Sequence, residues 1–246
     1  MSEQRALVTG GSRGIGRAIA LALSASGYEV TIMGRSEEAL AGAIAEGVAR
    51  KSRAVDVTDE AALRQAVAET GPYHVLINNA GAAESAPLAA TDLALIRRMM
   101  AVNVESAFTA SRAALPGMKK LGSGRIINVA SIAGLKGYAY VSAYCAAKHA
   151  VIGMTKALAA ELVKSNITVN ALCPGYTDTD LIANAADAIA QKTGRGTAEA
   201  IDHFAKTNPS GRLVTPEEVA NAALWLVSEG ASAVTGQAIT IAGGDP

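Results

Sequence analysis

The sequence predicts an α/β fold, a doubly wound domain with a seven-stranded, mainly parallel sheet and helices on both of its faces. Short apolar runs rich in Val and Ile alternate with segments in which apolar residues recur every three or four positions. Such alternation indicates parallel strands joined by right-handed helical crossovers. The predicted strands are apolar along nearly their whole length, which is typical of a sheet covered on both faces.

Seven segments have the composition of buried strands. In chain order they are Ala6–Thr9, Glu29–Met33, Arg53–Val57, Val75–Asn78, Arg125–Ala130, Thr168–Leu172 and Ala238–Ile241. The segments between them are predicted to be helices, and the first, Ile15–Ser26, places its apolar side chains on one face. No linker, low-complexity tract or internal repeat interrupts the chain, so we expect residues 1–246 to form a single domain.

The last third of the chain departs from this alternation. Between Pro174 and Pro216 no strand is evident, and two short helices are predicted at Asp180–Ala190 and Ala198–Lys206. The joining segment, Lys192–Gly196, contains two glycines and is predicted to be flexible. Open α/β sheets bind ligands beyond the carboxyl ends of their strands, where this insertion begins. We therefore expect residues 176–210 to form a lid over a substrate.

Composition excludes several classes of protein. Lys+Arg and Asp+Glu both total 22, so the balanced charge gives no indication of nucleic-acid binding. No apolar run approaches the roughly 18 residues that span a bilayer, and the first residues do not have the basic-then-apolar pattern of a signal peptide. Two cysteines, Cys145 and Cys173, provide no disulfide framework, and the carboxylates show no metal-ligand spacing. We expect a cytoplasmic protein without a metal.

A glycine-rich turn, Thr9–Gly16, directly follows the first strand and opens the first helix. Gly10 allows the tight turn, Gly14 allows close approach of a pyrophosphate, and Gly16 allows the helix to pack on the sheet. The helix amino terminus offers unpaired N–H groups and the positive end of its dipole to phosphates. The turn therefore predicts a dinucleotide site.

The spacing Gly-x3-Gly-x-Gly occurs together with four further motifs. These are Asn78-Asn79-Ala80-Gly81 after the fourth strand, Ser131 after the fifth followed by Tyr144-x3-Lys148, Pro174-Gly175 after the sixth, and Gly243-Gly244 near the end. Their order and spacing resemble the short-chain dehydrogenase/reductase family over essentially the whole chain, most closely the 3-oxoacyl-thioester reductases and polyketide ketoreductases. The resemblance implies a Rossmann fold, a nicotinamide cofactor and a homotetramer.

The end of the second strand indicates which cofactor is bound. NAD enzymes usually place an acid there, but this chain has Gly34 followed by Arg35. A guanidinium can bind the 2′-phosphate of NADP(H), and Arg13 could supply a second cation. By the resemblance, the residues expected to bind the cofactor are Gly10, Ser12, Arg13, Gly14, Ile15, Gly16, Arg35, Asp56, Val57, Asn79, Ala80, Gly81, Tyr144, Lys148, Pro174, Gly175, Thr177 and Thr179. Thr177 stands where the family usually has Ile or Val, which leaves open how it meets the carboxamide.

Tyr144 and Lys148 are four residues apart on a predicted helix and therefore share one face. Carbonyl reduction requires a proton for the carbonyl oxygen. Tyrosine, with a reference pKa of about 10, is a poor proton donor at neutral pH unless a neighbouring ammonium lowers that pKa. Lys148 is expected to do so, and Ser131 to hold the carbonyl oxygen. By the resemblance, Asn103 is a fourth catalytic residue that positions a water beside Lys148.

Three functions fit these residues. The first is NADPH-dependent reduction of a 3-oxoacyl thioester, with Tyr144 as proton donor and the substrate carried on acyl carrier protein or coenzyme A. Lys119, Lys120 and Arg125 are expected to form a basic docking surface for that carrier. The second is reduction or oxidation of a small ketone or secondary alcohol, with the aromatic side chains of Tyr138, Tyr140 and Tyr176 expected around the mouth of the site. The third, a catalytically inactive dinucleotide-binding regulator, would lack Ser131, Tyr144 or Lys148, and all are present.

Overall fold

The computed structural model describes residues 4–193 and 196–245, and its strands form one parallel sheet in the order β3-β2-β1-β4-β5-β6-β7. The strands are β1 (Arg5–Thr9), β2 (Glu29–Gly34), β3 (Lys51–Ala54), β4 (Val75–Asn78), β5 (Gly124–Val129), β6 (Ile167–Pro174) and β7 (Ala238–Ile241). The chain winds outward from β1 to β3, returns to β4 and winds outward again. The doubly wound prediction is confirmed, and the order reverses between β1 and β4, where such sheets bind ligands.

Nine α-helices are described between and after the strands. They are α1 (Gly14–Ala25), α2 (Glu37–Ala45), α3 (Glu60–Thr70), α4 (Leu93–Met100), α5 (Ser106–Leu121), α6 (Ser142–Leu162), α7 (Asp180–Thr193), α8 (Thr197–Thr207) and α9 (Pro216–Val227). A short π-helix, Ala101–Glu105, joins α4 to α5. In the described ranges no helix is both long enough and apolar enough to cross a membrane.

Alternate side chains of the strands enter separate apolar cores on the two faces of the sheet. Ala6 and Val8 of β1 pack with α1, α2 and α9, whereas Leu7 packs with α3 and α5. A third cluster joins α4 and α6 below the carboxyl ends of β5 and β6. Helices thus cover both faces, as the apolar strands predict, and the carboxyl edge of the sheet remains available for a site.

The third strand ends earlier than the sequence indicates. We expected Arg53–Val57, but β3 pairs with β2 only from Lys51 to Ala54. The chain then turns, because the Asp56 carboxylate accepts hydrogen bonds from the Thr58 N–H at 2.9 Å and from the Thr58 hydroxyl at 2.8 Å. This local side-chain turn ends the strand, although Val55 and Val57 are buried.

The two short helices expected in the last third correspond to α7 and α8, which pack against each other. Both extend beyond the expected bounds. Of the segment expected to join them flexibly, Gly194 and Arg195 lie outside the described residues, as do the side chains of Lys192 and Thr193.

Two leucines of α1 allow the contribution of the core to be measured. Leu23 is fully buried, whereas Leu21 is 42% exposed on the same helix. We expect Leu23→Ala to lower the free energy of unfolding by about 2–5 kcal/mol, because it removes apolar contacts and leaves a cavity. Leu21→Ala, the matched control, should change it by only about 0.5 kcal/mol. Denaturant unfolding of both variants checks this, and equal losses would contradict the packing.

Candidate active site

The glycine-rich turn is locked to the loop after β4. Asn79 donates its side-chain amide to the carbonyls of Thr9 and Gly10, at 3.0 and 3.1 Å. The Thr9 hydroxyl accepts from the N–H groups of Asn79 and Ala80, at 3.0 and 3.1 Å. A Cβ at Gly16 would lie 2.3 Å from the Asn79 amide nitrogen, so only glycine fits there. These hydrogen bonds therefore hold the two loops together between β1 and β4, where the strand order of the sheet reverses.

The amino end of α1 has the features of a phosphate site. Gly14 has φ 52°. A Cβ there would lie 3.3 Å from the Thr179 methyl carbon, in the space between the glycine-rich turn and the start of the last third of the chain. Arg13 precedes the helix, and its side chain makes no capping hydrogen bond. The first N–H groups of the helix thus face a cradle closed by Thr179, which fits a pyrophosphate.

The far end of this cradle lies beyond β2. A Cβ at Gly34 would lie 3.9 Å from the Ser12 hydroxyl, so Gly34 and Ser12 border one space. The side chains of Arg13 and Arg35 are exposed there. Hydrogen bonds from Thr58, and to a smaller extent the charge of Arg35, hold the pKa of Asp56 below its usual range. Cations and polar groups therefore meet where the adenosine phosphate of a dinucleotide would lie.

Ser131, Tyr144 and Lys148 meet where β5 and β6 end. Ser131 follows β5 and begins a 3-10 turn, in which its hydroxyl accepts from the Ala133 N–H at 3.1 Å. The Ser131 hydroxyl also lies close enough to the Tyr144 phenol to lower the pKa of that phenol. Lys148, one turn along α6, places Nζ 5.7 Å from the centre of the Tyr144 ring and donates to the Val129 carbonyl at 2.9 Å. The structure thus brings together the three side chains that the motif spacing singled out.

Burial acts in opposite directions on these two titratable groups. It raises the pKa of Tyr144 to about 12, against a smaller lowering by the Ser131 hydrogen bond. It lowers the pKa of Lys148, which is 5% exposed, to about 8. We expected Lys148 to lower the pKa of Tyr144, and the structure differs because loss of hydration is the largest effect on this buried phenol. At neutral pH the phenol holds its proton and the amine is charged.

Asn103 lies in the π-helix and borders the same site. Its amide donates to the carbonyls of Ala82 and Met99, at 2.9 and 3.0 Å. Its buried Oδ1 has no hydrogen-bond partner among the residues described. A Cβ at Gly81 would lie 2.6 Å from this Oδ1 and 3.5 Å from Lys148 Nζ. Gly81 therefore lets the loop after β4 pass close to Asn103 and Lys148, so both side chains border that loop.

Thr177 and Thr179 lie at the beginning of the last third but differ in orientation. The Thr177 side chain is buried and donates to the Gly175 carbonyl at 3.0 Å. Thr179 faces Gly14 and donates to the Thr177 carbonyl at 3.2 Å. Thr179 thus borders the cradle with its side chain, whereas Thr177 can reach it only through its backbone.

Three residues around the expected substrate space are not indicated by the sequence. Asn208, 1% exposed, donates to the carbonyls of Tyr176 and Arg212 at 2.9 and 2.8 Å, so it joins both ends of the last-third insertion. Phe204 of α8 stacks on Tyr176, and the Asp245 carboxylate accepts from Tyr138. Tyr138 and Tyr176 pack together as expected of residues at the mouth, whereas Tyr140 is 68% exposed. Nothing in the motif spacing identifies these three contacts.

The expected basic surface for a carrier is incomplete. Lys119 and Lys120 are exposed in the last turn of α5. The prediction is wrong for Arg125, which is 6% exposed and donates to the Gly124 carbonyl at 2.9 Å. Because β5 begins at this end of the sheet, the two lysines lie at the opposite end of that strand from Ser131. Elsewhere, Cys145 and Cys173 are buried free thiols, and no cluster of three metal-ligating side chains occurs in the described ranges.

Comparison with known proteins agrees with this geometry. The family model described as short chain dehydrogenase matches residues 4–190. A solved structure of a variant actinorhodin polyketide ketoreductase with NADPH superimposes with a TM-score of 0.93, at 36% identity, over 98% of this chain and 97% of that one. The chain is 39% identical to D-beta-hydroxybutyrate dehydrogenase of Cupriavidus necator, over 99% of this chain and 98% of that protein. It is 36% identical to L-2,3-butanediol dehydrogenase of Corynebacterium glutamicum, over 97% of each.

The polyketide ketoreductase supports the more specific resemblance seen in the sequence, and the two dehydrogenases show that the similarity extends to enzymes named for a hydroxy acid and for a diol. The chain therefore belongs to the short-chain dehydrogenase family, as an oxidoreductase that acts on CH–OH or C=O groups with a nicotinamide cofactor.

Proposed function

We propose that this protein is an NADPH-dependent carbonyl reductase in which Tyr144 is the proton donor. The convergence of Tyr144, Ser131 and Lys148 beside the phosphate cradle is the observation that carries the proposal. Tyr144 keeps its proton at neutral pH, since burial raises its pKa to about 12. The phenol thus carries the proton that the substrate oxygen must receive in reduction. Because its raised pKa makes it a weaker acid than free tyrosine, the charge of Lys148 is needed to stabilise the phenolate that forms.

When bound, the nicotinamide supplies hydride to the carbonyl carbon, and negative charge develops on the carbonyl oxygen. Tyr144 donates its proton to that oxygen, and the Ser131 hydroxyl donates a hydrogen bond to it. Lys148 keeps a positive charge beside Tyr144, which stabilises the phenolate left after proton transfer. We assign Asn103 to the path that returns a proton through Lys148, because both side chains border Gly81.

NADPH is proposed over NADH from the charges at the far end of the cradle. Arg13 and Arg35 are exposed beside Gly34, where an acid would repel a 2′-phosphate. The related polyketide ketoreductase was solved with NADPH, which supports the same choice. We further propose that residues 176–210 act as the substrate lid of a single catalytic domain.

Two substrate classes are proposed for this site. Similarity to a polyketide ketoreductase supports a 3-oxoacyl thioester, carried on acyl carrier protein or coenzyme A. Similarity to the two dehydrogenases, and the packed rings of Tyr138, Tyr176 and Phe204, support a small ketone or secondary alcohol. Comparing kcat/KM for acetoacetyl thioesters with that for alkyl and aryl ketones separates the classes, since a tenfold preference is about 1.4 kcal/mol of transition-state binding.

A homotetramer is proposed as the assembly. Along the exposed side of α6 lie the small residues Ala146, Gly153, Ala157 and Ala160, which permit close approach of a second helix. The strand β7 forms one edge of the sheet and offers a further contact for a second copy.

Replacing Tyr144 by Phe tests the proton donor. This change removes only the hydroxyl, so NADPH binding should survive. Its kcat for ketone reduction should fall by about 10²–10⁴-fold, the usual contribution of a general acid. Stopped-flow fluorescence measures binding, and steady-state assays measure turnover. Tyr140→Phe, which changes an exposed tyrosine shortly before α6, serves as the control. A Tyr144→Phe enzyme that keeps more than half of the original kcat would refute the assignment.

Replacing Arg35 by Asp tests the cofactor. The guanidinium should bind the 2′-phosphate, and a charge-assisted contact of this kind contributes about 1.5–3 kcal/mol. We expect kcat/KM for NADPH to fall at least about tenfold and the preference to move toward NADH. Arg53→Asp, an exposed arginine of β3 paired with Glu69, is the control. Equal efficiency of the unmodified enzyme with both cofactors would exclude the proposed preference.

A further inference from the structure

The carboxylate of Asp245 is buried between two polar partners outside the Tyr144 site. Its side chain is 6% exposed. One oxygen accepts from the ammonium of Lys136, and the other accepts from the hydroxyl of Tyr138 at 3.1 Å. Burial and this hydrogen bond both raise the pKa of Tyr138, so the phenol remains a donor to Asp245. Both partners lie in the loop that follows Ser131.

Tyr138 begins an aromatic wall formed by Tyr138, Tyr176 and Phe204. The rings of Tyr138 and Tyr176 meet edge to face, with centres 6.3 Å apart, and those of Tyr176 and Phe204 stack at 4.9 Å. Tyr176 follows the end of β6, at the carboxyl edge of the sheet where Tyr144 and Ser131 lie. The wall therefore runs from the loop after Ser131 to α8 along the edge of the sheet that holds the proposed proton donor.

The segment that carries Asp245 packs against the end of the proposed lid. Gly243 and Gly244 have φ of 62° and 101°. A Cβ at Gly243 would lie 2.3 Å from the Ser210 hydroxyl, so glycine permits the close passage. Asp245 thereby links the lid end at Ser210 to the loop that bears Tyr138.

Lys136 lies at the outer side of this arrangement. Its side chain is 41% exposed, and its ammonium is 5.3 Å from the centre of the Tyr138 ring. An unpaired ammonium there would attract a carboxylate substrate. Because Asp245 already pairs with Lys136, an anionic substrate would find the charge of this cation neutralised.

We propose that Asp245 determines substrate specificity: it positions the aromatic wall through Tyr138 and neutralises Lys136, so that the site selects uncharged keto substrates over keto acids. The inference rests on the proposed carbonyl reductase function. Asp245 acts through its two partners and is a positioning residue, with no part in the proton transfer itself.

Ethyl acetoacetate and acetoacetate carry the same keto group and differ in charge, so their kcat/KM values form a direct test. The unmodified enzyme should prefer the ester. In Asp245→Asn, Lys136 loses its partner and can bind the acid. We expect the acid-to-ester ratio of kcat/KM to rise about tenfold or more, the effect of one charge-assisted hydrogen bond, mainly through a lower KM for the acid.

Two variants serve as controls. Tyr138→Phe keeps the pair of Lys136 and Asp245 and should keep the original acid-to-ester ratio. Asp245→Asn combined with Lys136→Met removes both charges and should lose the gain for the acid while still reducing the ester. A general loss of structure would lower both substrates together, so the ratio separates specificity from folding.

An unchanged ratio in folded Asp245→Asn would overturn the role of Asp245, as would an unmodified enzyme that prefers the acid. If Asp245→Asn does not fold, the preference of the unmodified enzyme and the behaviour of the double variant decide the matter. Failure of the unmodified enzyme to oxidise NADPH with any ketone would instead refute the proposed function, which keeps the two outcomes distinct.

Discussion

The burial of one ammonium group at the carboxyl edge of the sheet is the constraint on which the site depends. Lys148 is 5% exposed and donates to the Val129 carbonyl at 2.9 Å, so the end of β5 must lie beside α6. Gly81, which lies beside the ammonium, must lack a side chain, because a Cβ there would come within 2.6 Å of Asn103 Oδ1. A buried charge is tolerated only where polar groups meet it, and here the backbone supplies one.

The same loss of hydration gives the two titratable groups their proposed roles. It favours the neutral form of each group. Tyr144 therefore keeps its proton, while the pKa of Lys148 falls to about 8, close to neutral pH. Ser131, held by the 3-10 turn after β5, contacts the same phenol. The turn after β5 and the following helix α6 thus bring Ser131, Tyr144 and Lys148 together at the carboxyl edge of the sheet. The glycine-rich turn before α1 lies at the same edge.

Local patterns predicted most of this molecule, whereas contacts between distant residues did not follow from them. The strands Val75–Asn78 and Ala238–Ile241 have the expected bounds, since their apolar runs are sharply limited. Tyr144 and Lys148 could be paired because four residues are about one helical turn. Asp245 could not, because its partners lie 107 and 109 residues earlier in the chain. The burial of Arg125 and the balance that raises the pKa of Tyr144 likewise depend on tertiary packing.

The pH dependence of ketone reduction tests the central claim most directly. Burial lowers the pKa of Lys148 to about 8, so its charge is present below that pH and is lost as the pH rises through it. The pKa of Tyr144, about 12, lies outside the accessible range. We predict that kcat/KM for the ketone at saturating NADPH is constant near pH 6–7 and falls tenfold per unit above about pH 8, as Lys148 loses its charge. A profile that stays flat to pH 10, in enzyme shown by circular dichroism to remain folded, would contradict the account.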